Sequence, residues 1–329
     1  PGTLASYKWI IEKHLVPNLG RTTLAKLSPQ QVQKFLNDRL ELGRIPRPFA
    51  DPAKPQETGL TPRTVQHIHA TLRAALEQAT KWGLVQRNVA TLVNAPRVQR
   101  AEVDPYTPEE ARAFLSAVSG DRLEALYSVA IALGLRQGEA LGLRWCDIDI
   151  AARRLTVRHS LQRIGGKLSL GELKTGRSRR TITLPQVTIS ALLRHQGVQD
   201  TERQFAGGRW RDTGHVFTTT IGTPLDGPTV TRRFQDILKA NGLRKLRFHD
   251  LRHTCATLLL AQGVHPRLIM EILGHSQIAI TMNLYSHVIP SMRNDVADQI
   301  DIALAPPQKK APKRVATRVA TKRAPAVVN

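Results

Sequence analysis

The sequence predicts a mainly α-helical chain with a small antiparallel β-sheet, divided into a helical first domain and a mixed α/β second domain. Three observations predict it. Apolar residues recur at helical spacing through most of the first hundred positions. A polar stretch bracketed by Pro96 and Pro105 then breaks the pattern. Residues 154–184 alone switch to strand-like patterning around a Gly165-Gly166 turn.

Leu4, Tyr7, Ile10, Ile11 and Leu15 place a first helix over Thr3 to Leu15, with Pro17 to Gly20 as its stop. Ser28-Pro29-Gln30-Gln31 starts a second: Ser28 can cap, Pro29 suits the first turn, and Gln31 can complete a capping box. Four prolines mark residues 43–60 as a loop. Thr61-Pro62 opens a third helix carrying Val65, Ile68, Leu72, Leu76 and Ala79, which ends near Trp82-Gly83. Beyond the boundary, Thr107-Pro108-Glu109-Glu110 is another capping box. A helix over Leu123 to Leu133 follows, ended or bent by Gly134. Leu155-Thr156-Val157 and Thr181 to Leu184 supply the sheet. Helical patterns resume at 186–198, 229–241, 249–262, 266–273 and 278–287. The predicted division is residues 1–96, a linker at 97–104, a second domain at 105–303, and a basic, disordered tail at 304–329.

Charge is the first functional clue. With 48 Lys and Arg against 26 Asp and Glu, the net charge is +22. The tail from 306 holds seven basic residues and no acid, so most of the excess lies elsewhere. Residues 1–100 carry 15 basic and six acidic side chains, and residues 101–305 carry 26 and 20. A positive field spread over both domains attracts a polyanion, and nucleic acid is the expected one. No apolar run reaches membrane-spanning length, so no membrane span is expected; an anionic membrane surface would share the charge, but no strongly amphipathic basic helix supports it. Cys146 and Cys255 make no disulfide framework, which predicts a reducing, cytoplasmic setting. The sequence has neither a Gly-rich loop ending in Gly-Lys-Ser/Thr nor Gly-x-Gly-x-x-Gly after a strand, so ATP and dinucleotides are not indicated.

Four segments carry chemistry-bearing residues. His249-Asp250-Leu251-Arg252-His253 puts His249 and Arg252 on one helix face. Gly274-His275 is followed ten residues later by Tyr285, within Asn283-Leu284-Tyr285-Ser286-His287. Gly134-Leu135-Arg136-Gln137-Gly138-Glu139 opens a helix after an apolar one. Leu173-Lys174-Thr175-Gly176 leads into the strand at Thr181. Each alone has a bland reading: a half-buried tyrosine, a structural histidine, surface arginines, a hairpin lysine. Their joint order and spacing do not.

Together, over residues 105 to 300, these segments resemble the catalytic motifs of tyrosine recombinases of the phage-integrase type, most like integrases of actinobacterial phages and integrating plasmids. The helical first hundred residues resemble the same family's core-site DNA-binding domain. The resemblance implies a site-specific recombinase that cuts and rejoins DNA through a 3′-phosphotyrosyl link, integrating or excising a mobile element. Tyr285 would be the nucleophile. Arg136 and Arg252 would hold the two non-bridging oxygens through planar, charge-assisted hydrogen bonds. His249 would take the phenol proton, Lys174 would protonate the leaving 5′ oxygen, and His275 would bond a phosphate oxygen. Glu139, one turn after Arg136, would hold that guanidinium. Arg177, Arg179, Arg180, Arg244, Lys245 and Arg247 are the expected DNA contacts. No cofactor or metal is implied, because the phosphotyrosyl link conserves the bond energy.

The implied partners are double-stranded DNA attachment sites, a homotetramer assembled on them that passes through a Holliday junction, and accessory DNA-bending or directionality proteins, within the nucleoid. Three alternatives differ by test. A type IB topoisomerase would share the chemistry but act as a monomer. A silent DNA-binding protein would form no adduct. A zinc protease would use the His249/His253 pair, but its helix needs a glutamate where Asp250 stands, and it places Arg252 beside a dication. Beyond Tyr285, the spacing of Ile289, Met292, Val296, Ile300 and Leu304 predicts an amphipathic helix, which either packs on its own domain or, as the family resemblance implies, docks on a neighbouring protomer.

Overall fold

A computed structural model describes residues 2–43, 58–98, 104–173 and 179–274. The chain opens with α1 (Gly2–Ile10), a π-helical turn (Ile11–Leu15) and α2 (Val16–Leu19) in direct succession. The first helix therefore runs through Pro17 instead of stopping before it. Proline lacks the donor for an ordinary helical bond and crowds the carbonyl one turn back, and a widened π turn in front of it relieves both. Ser28 then caps α3 (Pro29–Leu42), with Gln31 closing the box on the Ser28 N–H at 2.9 Å. Thr61 caps α4 (Pro62–Lys81). Ile10, Leu15, Val32, Phe35, Leu36, Val65, Ile68 and Leu72 form the first core. A short 3-10 turn (Val89–Leu92) is pinned to α4 through His69 Nε2 and the Ala90 carbonyl at 2.7 Å.

The second core starts at Tyr106. Thr107 and Glu110 form the predicted box on α5 (Pro108–Ala117), and α6 (Glu124–Leu133) is buried on nearly every side. A helix apolar all round belongs at the centre of a core, and α6 packs against later helices on two sides. Next come α7 (Gln137–Leu141), β1 (Ile148–Asp149), β2 (Arg154–Val157), β3 (His159–Ile164), β4 (Lys167–Glu172) and β5 (Arg180–Thr183). The strands make two antiparallel sheets, not the single one expected. One has the order β1-β2-β5, with Leu155 opposite Ile182; the other is the β3–β4 hairpin turning at Gly165-Gly166. The division falls at Arg158, whose guanidinium bonds buried Asp147 at 3.3 Å and marks where the chain leaves the first sheet.

The helix predicted at 186–198 extends further, as α8 (Gln186–Ala206). Its extra length anchors a buried polar network in which Gln199 accepts from Trp145 Nε1 at 2.6 Å and donates to the Val216 carbonyl at 3.0 Å. After α9 (Gly227–Ala240) come α10 (Asp250–Ala261) and α11 (Pro266–Leu273). Phe114, Tyr127, Phe234 and Phe248 interlock edge-to-face and tilted, with ring centroids 5.7 to 6.4 Å apart. The predicted helices at 278–287 and beyond Tyr285 lie outside the described residues, as does the tail. Among the described residues, no helix is long and apolar enough to cross a membrane.

Gly134 is the hinge point of this core. It ends α6 in the left-handed region, at φ 60°. A Cβ there would overlap Leu273 Cδ2 and press on Cys255 at 3.3 Å, so α6, α10 and α11 meet only because the residue is glycine. Gly134→Ala is expected to destabilise the chain by about 2–5 kcal/mol, adding left-handed backbone strain to overpacking. A urea titration checks this; an unchanged midpoint would refute the close-approach argument.

Candidate active site

The site is built where the ends of α6, α10 and α11 converge with the start of α7. Arg136 precedes the first residue of α7, and Glu139 lies one turn into it. The spacing lets Glu139 fold back on Arg136: its carboxylate accepts from Arg136 Nη1 at 2.7 Å and from the Arg136 backbone N–H at 3.2 Å. Glu139 is 2% exposed. Burial alone would raise its carboxyl pKa, but the bonds and charges of Arg180 and Arg136 outweigh this and hold it below the usual carboxylate range. Arg136 is itself half-open to solvent and reaches the Gly274 carbonyl at 3.3 Å through Nη2.

Arg252 enters from the first turn of α10 and is 2% exposed. Its Nη1 donates to the Gly134 carbonyl at 2.7 Å. Its Nη2 is buried and has no hydrogen-bond partner among the described residues. An unsatisfied buried donor costs about 1–3 kcal/mol, more when charged, so the fold holds this group at a cost that an incoming anion would relieve. Burial, then repulsion from Arg136, pushes the guanidinium down to about 9, still protonated at neutral pH. Arg180 adds a further cation and Glu139 an opposing charge. Among the described residues, Glu139 thus bonds Arg136 and Arg180 and opposes the charge of Arg252.

His249 stands just before α10, next to Arg252 in the charge field. The packed shell around it, then His253, Arg252 and Arg136, lower its pKa to about 4. His249 is nonetheless exposed, so solvent screens these charges. The imidazole is therefore neutral near pH 7 and can accept a proton. His253 packs edge-on against it at 5.2 Å. Among the described residues, no group of three or more His, Cys, Asp or Glu side chains is placed to hold a metal ion. In the free protein the His249 ring is expected to titrate below 6.5, and higher once a phosphodiester docks, because the anion stabilises the imidazolium. Imidazole NMR over pH 4 to 8 checks this; a free-protein midpoint at or above 6.5 would refute the downward shift.

The structure thus brings Arg136, Glu139, His249 and Arg252 together. Lys174, Arg177, His275 and Tyr285 lie outside the described residues, although Gly274, directly before His275, sits at the edge of the cluster. Two expected DNA contacts are corrected. Arg244 bonds Glu110 through Nε at 2.8 Å and through Nη2 at 2.8 Å, bonds Asp104 through Nη1 at 2.8 Å, and stacks over Tyr106. With its donors committed, it fastens the start of the second core. Arg180 is not a surface arginine: its side chain is 7% exposed and bonds Glu139 at 2.8 Å. In sequence it reads as a DNA contact; the partner across the chain explains its burial. Arg247 is exposed but held by Asp250, at 2.7 Å from Nη2. Arg179 and Lys245 are exposed.

The phage integrase family model matches residues 106–292, which contain this cluster, and the N-terminal SAM-like domain of phage integrases matches residues 1–40. An integrase of Saccharopolyspora erythraea is 31% identical over 91% of this chain and 77% of its own length. The chain belongs to the phage integrase family. This integrase is an enzyme, a site-specific tyrosine recombinase. A XerC-like tyrosine recombinase of Caldanaerobacter subterraneus is 31% identical over 74% of the integrase and 67% of its own length. Among solved structures, the Tn1549 transposon integrase in complex with transposon right end DNA has the same fold, with TM-score 0.71, 22% identity, and coverage of 93% of this chain and 94% of that one. A lambda integrase dimer bound to a core site superposes with TM-score 0.60 at 20% identity, over 86% and 88% of the two chains.

Proposed function

We propose that the integrase cleaves and rejoins double-stranded DNA at attachment sites through a 3′-phosphotyrosyl bond at Tyr285. The supporting observation is the buried Nη2 of Arg252, without a partner among the described residues, set beside Arg136 and the neutral His249. A phosphodiester docked there gives Arg252 its missing acceptor. The two guanidiniums then neutralise the non-bridging oxygens, where negative charge grows in the transition state. The Tyr285 oxygen attacks phosphorus and passes its proton to His249. The bond from phosphorus to the 5′ oxygen breaks, and Lys174 supplies that oxygen's proton. Phosphotyrosine forms as one phosphodiester is lost, so the reverse attack by a 5′ hydroxyl reseals DNA without an external energy source. His275 bonds a phosphate oxygen, and Glu139 keeps Arg136 in its bound rotamer.

Residues 1–96 act as the core-site DNA-binding domain and 105–303 as the catalytic domain, joined at 97–104, with the basic tail from 304 adding salt-sensitive affinity. Strand exchange is carried out by a homotetramer through a Holliday junction, aided by accessory bending or directionality proteins in the nucleoid. A lambda integrase tetramer bound to a Holliday junction, similar to this chain at TM-score 0.58, supports that reading. The test is to incubate the chain with genomic DNA carrying nicks that let the short cleaved strand diffuse away. Sequencing the covalently attached DNA is expected to return one site; no attached DNA would reject the proposal.

A further inference from the structure

Arg180 lies at the start of β5, yet its side chain crosses to the end of α11. Its Nε donates to the Ile272 carbonyl at 2.6 Å, and its Nη2 donates to Glu139 at 2.8 Å. The guanidinium passes directly over Gly274, where a Cβ would meet Nη1 at 2.9 Å and Cζ at 3.2 Å. Gly274 also has φ 67°, so the close crossing and the left-handed backbone select glycine together. Arg136 Nη2 bonds the carbonyl of that same glycine at 3.3 Å. One planar group therefore spans three parts of the site: the sheet, the acid that holds Arg136, and the carbonyl end of the helix leading to His275.

We propose that Arg180 is a positioning residue for strand cleavage: it fixes Glu139, and through it Arg136, in register with the end of α11. Arg180 acts through its fork. A cation alone would neutralise Glu139, but only a guanidinium bonds the Glu139 carboxylate and the Ile272 carbonyl in one plane. Without it, Glu139 keeps a single partner and Arg136 gains rotamers that miss the phosphate. The inference rests on the function proposed above.

The experiment compares the unaltered chain with Arg180→Lys, Arg180→Met, Glu139→Gln and the double variant Arg180→Met/Glu139→Gln. Each is scored for adduct formation at saturating nicked DNA, for DNA affinity across a salt series, and for Tm. Arg180→Met is expected to slow cleavage roughly 10- to 100-fold, the scale of losing a partner one bond removed from a reacting group. Affinity and its salt slope should stay close to those of the unaltered chain. The double variant should be no slower than the worse single, because the two residues act as a unit. Arg180→Lys keeps the charge and should recover only part of the rate. A phosphate contact behaves differently: affinity drops, the salt slope falls by about 0.9, and cleavage at saturation is normal, an outcome that overturns the proposal. If Arg180→Met melts well below the unaltered chain, Arg180→Lys decides, and a normal saturated rate there overturns it. An unaltered chain that forms no adduct overturns the function itself and this inference with it. Normal rates in both Arg180 variants overturn this inference alone.

Discussion

Tyr285→Phe is expected to bind attachment-site DNA as tightly as the unaltered integrase and to form no covalent adduct on denaturing gels. The phenol oxygen is the only atom removed, so the charge that attracts DNA, +22 over the chain, is untouched. The loss should be complete within detection, because no other group can form the same linkage at that position. Any adduct that persists in Tyr285→Phe, mapped by peptide sequencing to another tyrosine, assigns the nucleophile elsewhere.

The second large effect belongs to the arginines. Arg252→Lys and Arg136→Lys preserve charge but discard the planar fork. Each is expected to slow single-turnover cleavage by about 100-fold or more, the scale of removing one oxyanion-type donor. For Arg252 the structure adds a reason. Its fork is divided, with Nη1 on the Gly134 carbonyl at 2.7 Å and Nη2 without a partner among the described residues, where the proposed function places the phosphate. A lysine has one nitrogen for both tasks, and the buried carbonyl competes with the DNA for it. DNA affinity should fall far less, since many other phosphate contacts persist. A variant that cleaves within a few-fold of normal would remove that arginine from the transition-state clamp.

Much of the fold was legible because its signals are local. Ser28, Thr61 and Thr107 cap the helices predicted from them, and each acts within three residues of itself. The same holds for Arg136 and Glu139, whose spacing of three across the start of α7 is the contact seen. What was not legible depends on distant partners. Nothing near Arg180 announces a carboxylate 41 positions away, and nothing near Arg244 announces Glu110. Both therefore read as surface cations in a basic chain. Proline misled in the opposite direction. Pro17 is a stop signal by itself, and the π turn before it has no signature in residue types. The second sheet was hidden for a related reason: hydrophobic alternation shows that a segment is extended, not which edge it pairs with.

The contacts at Gly134 and Gly274 also bear on biosynthesis. Arg252 is held by a carbonyl 118 positions before it, and Arg136 reaches one 138 positions after it. The cationic pocket therefore has no local precursor. A nascent chain still on the ribosome presents the first core, which is built from residues up to Ala90, long before the phosphate clamp can close. An unfinished or prematurely ended translation product would cling to DNA through its early positive charge yet be unable to cut it. On the function proposed above, both arginines of the clamp would be set only once residues as far as Gly274 have been synthesised.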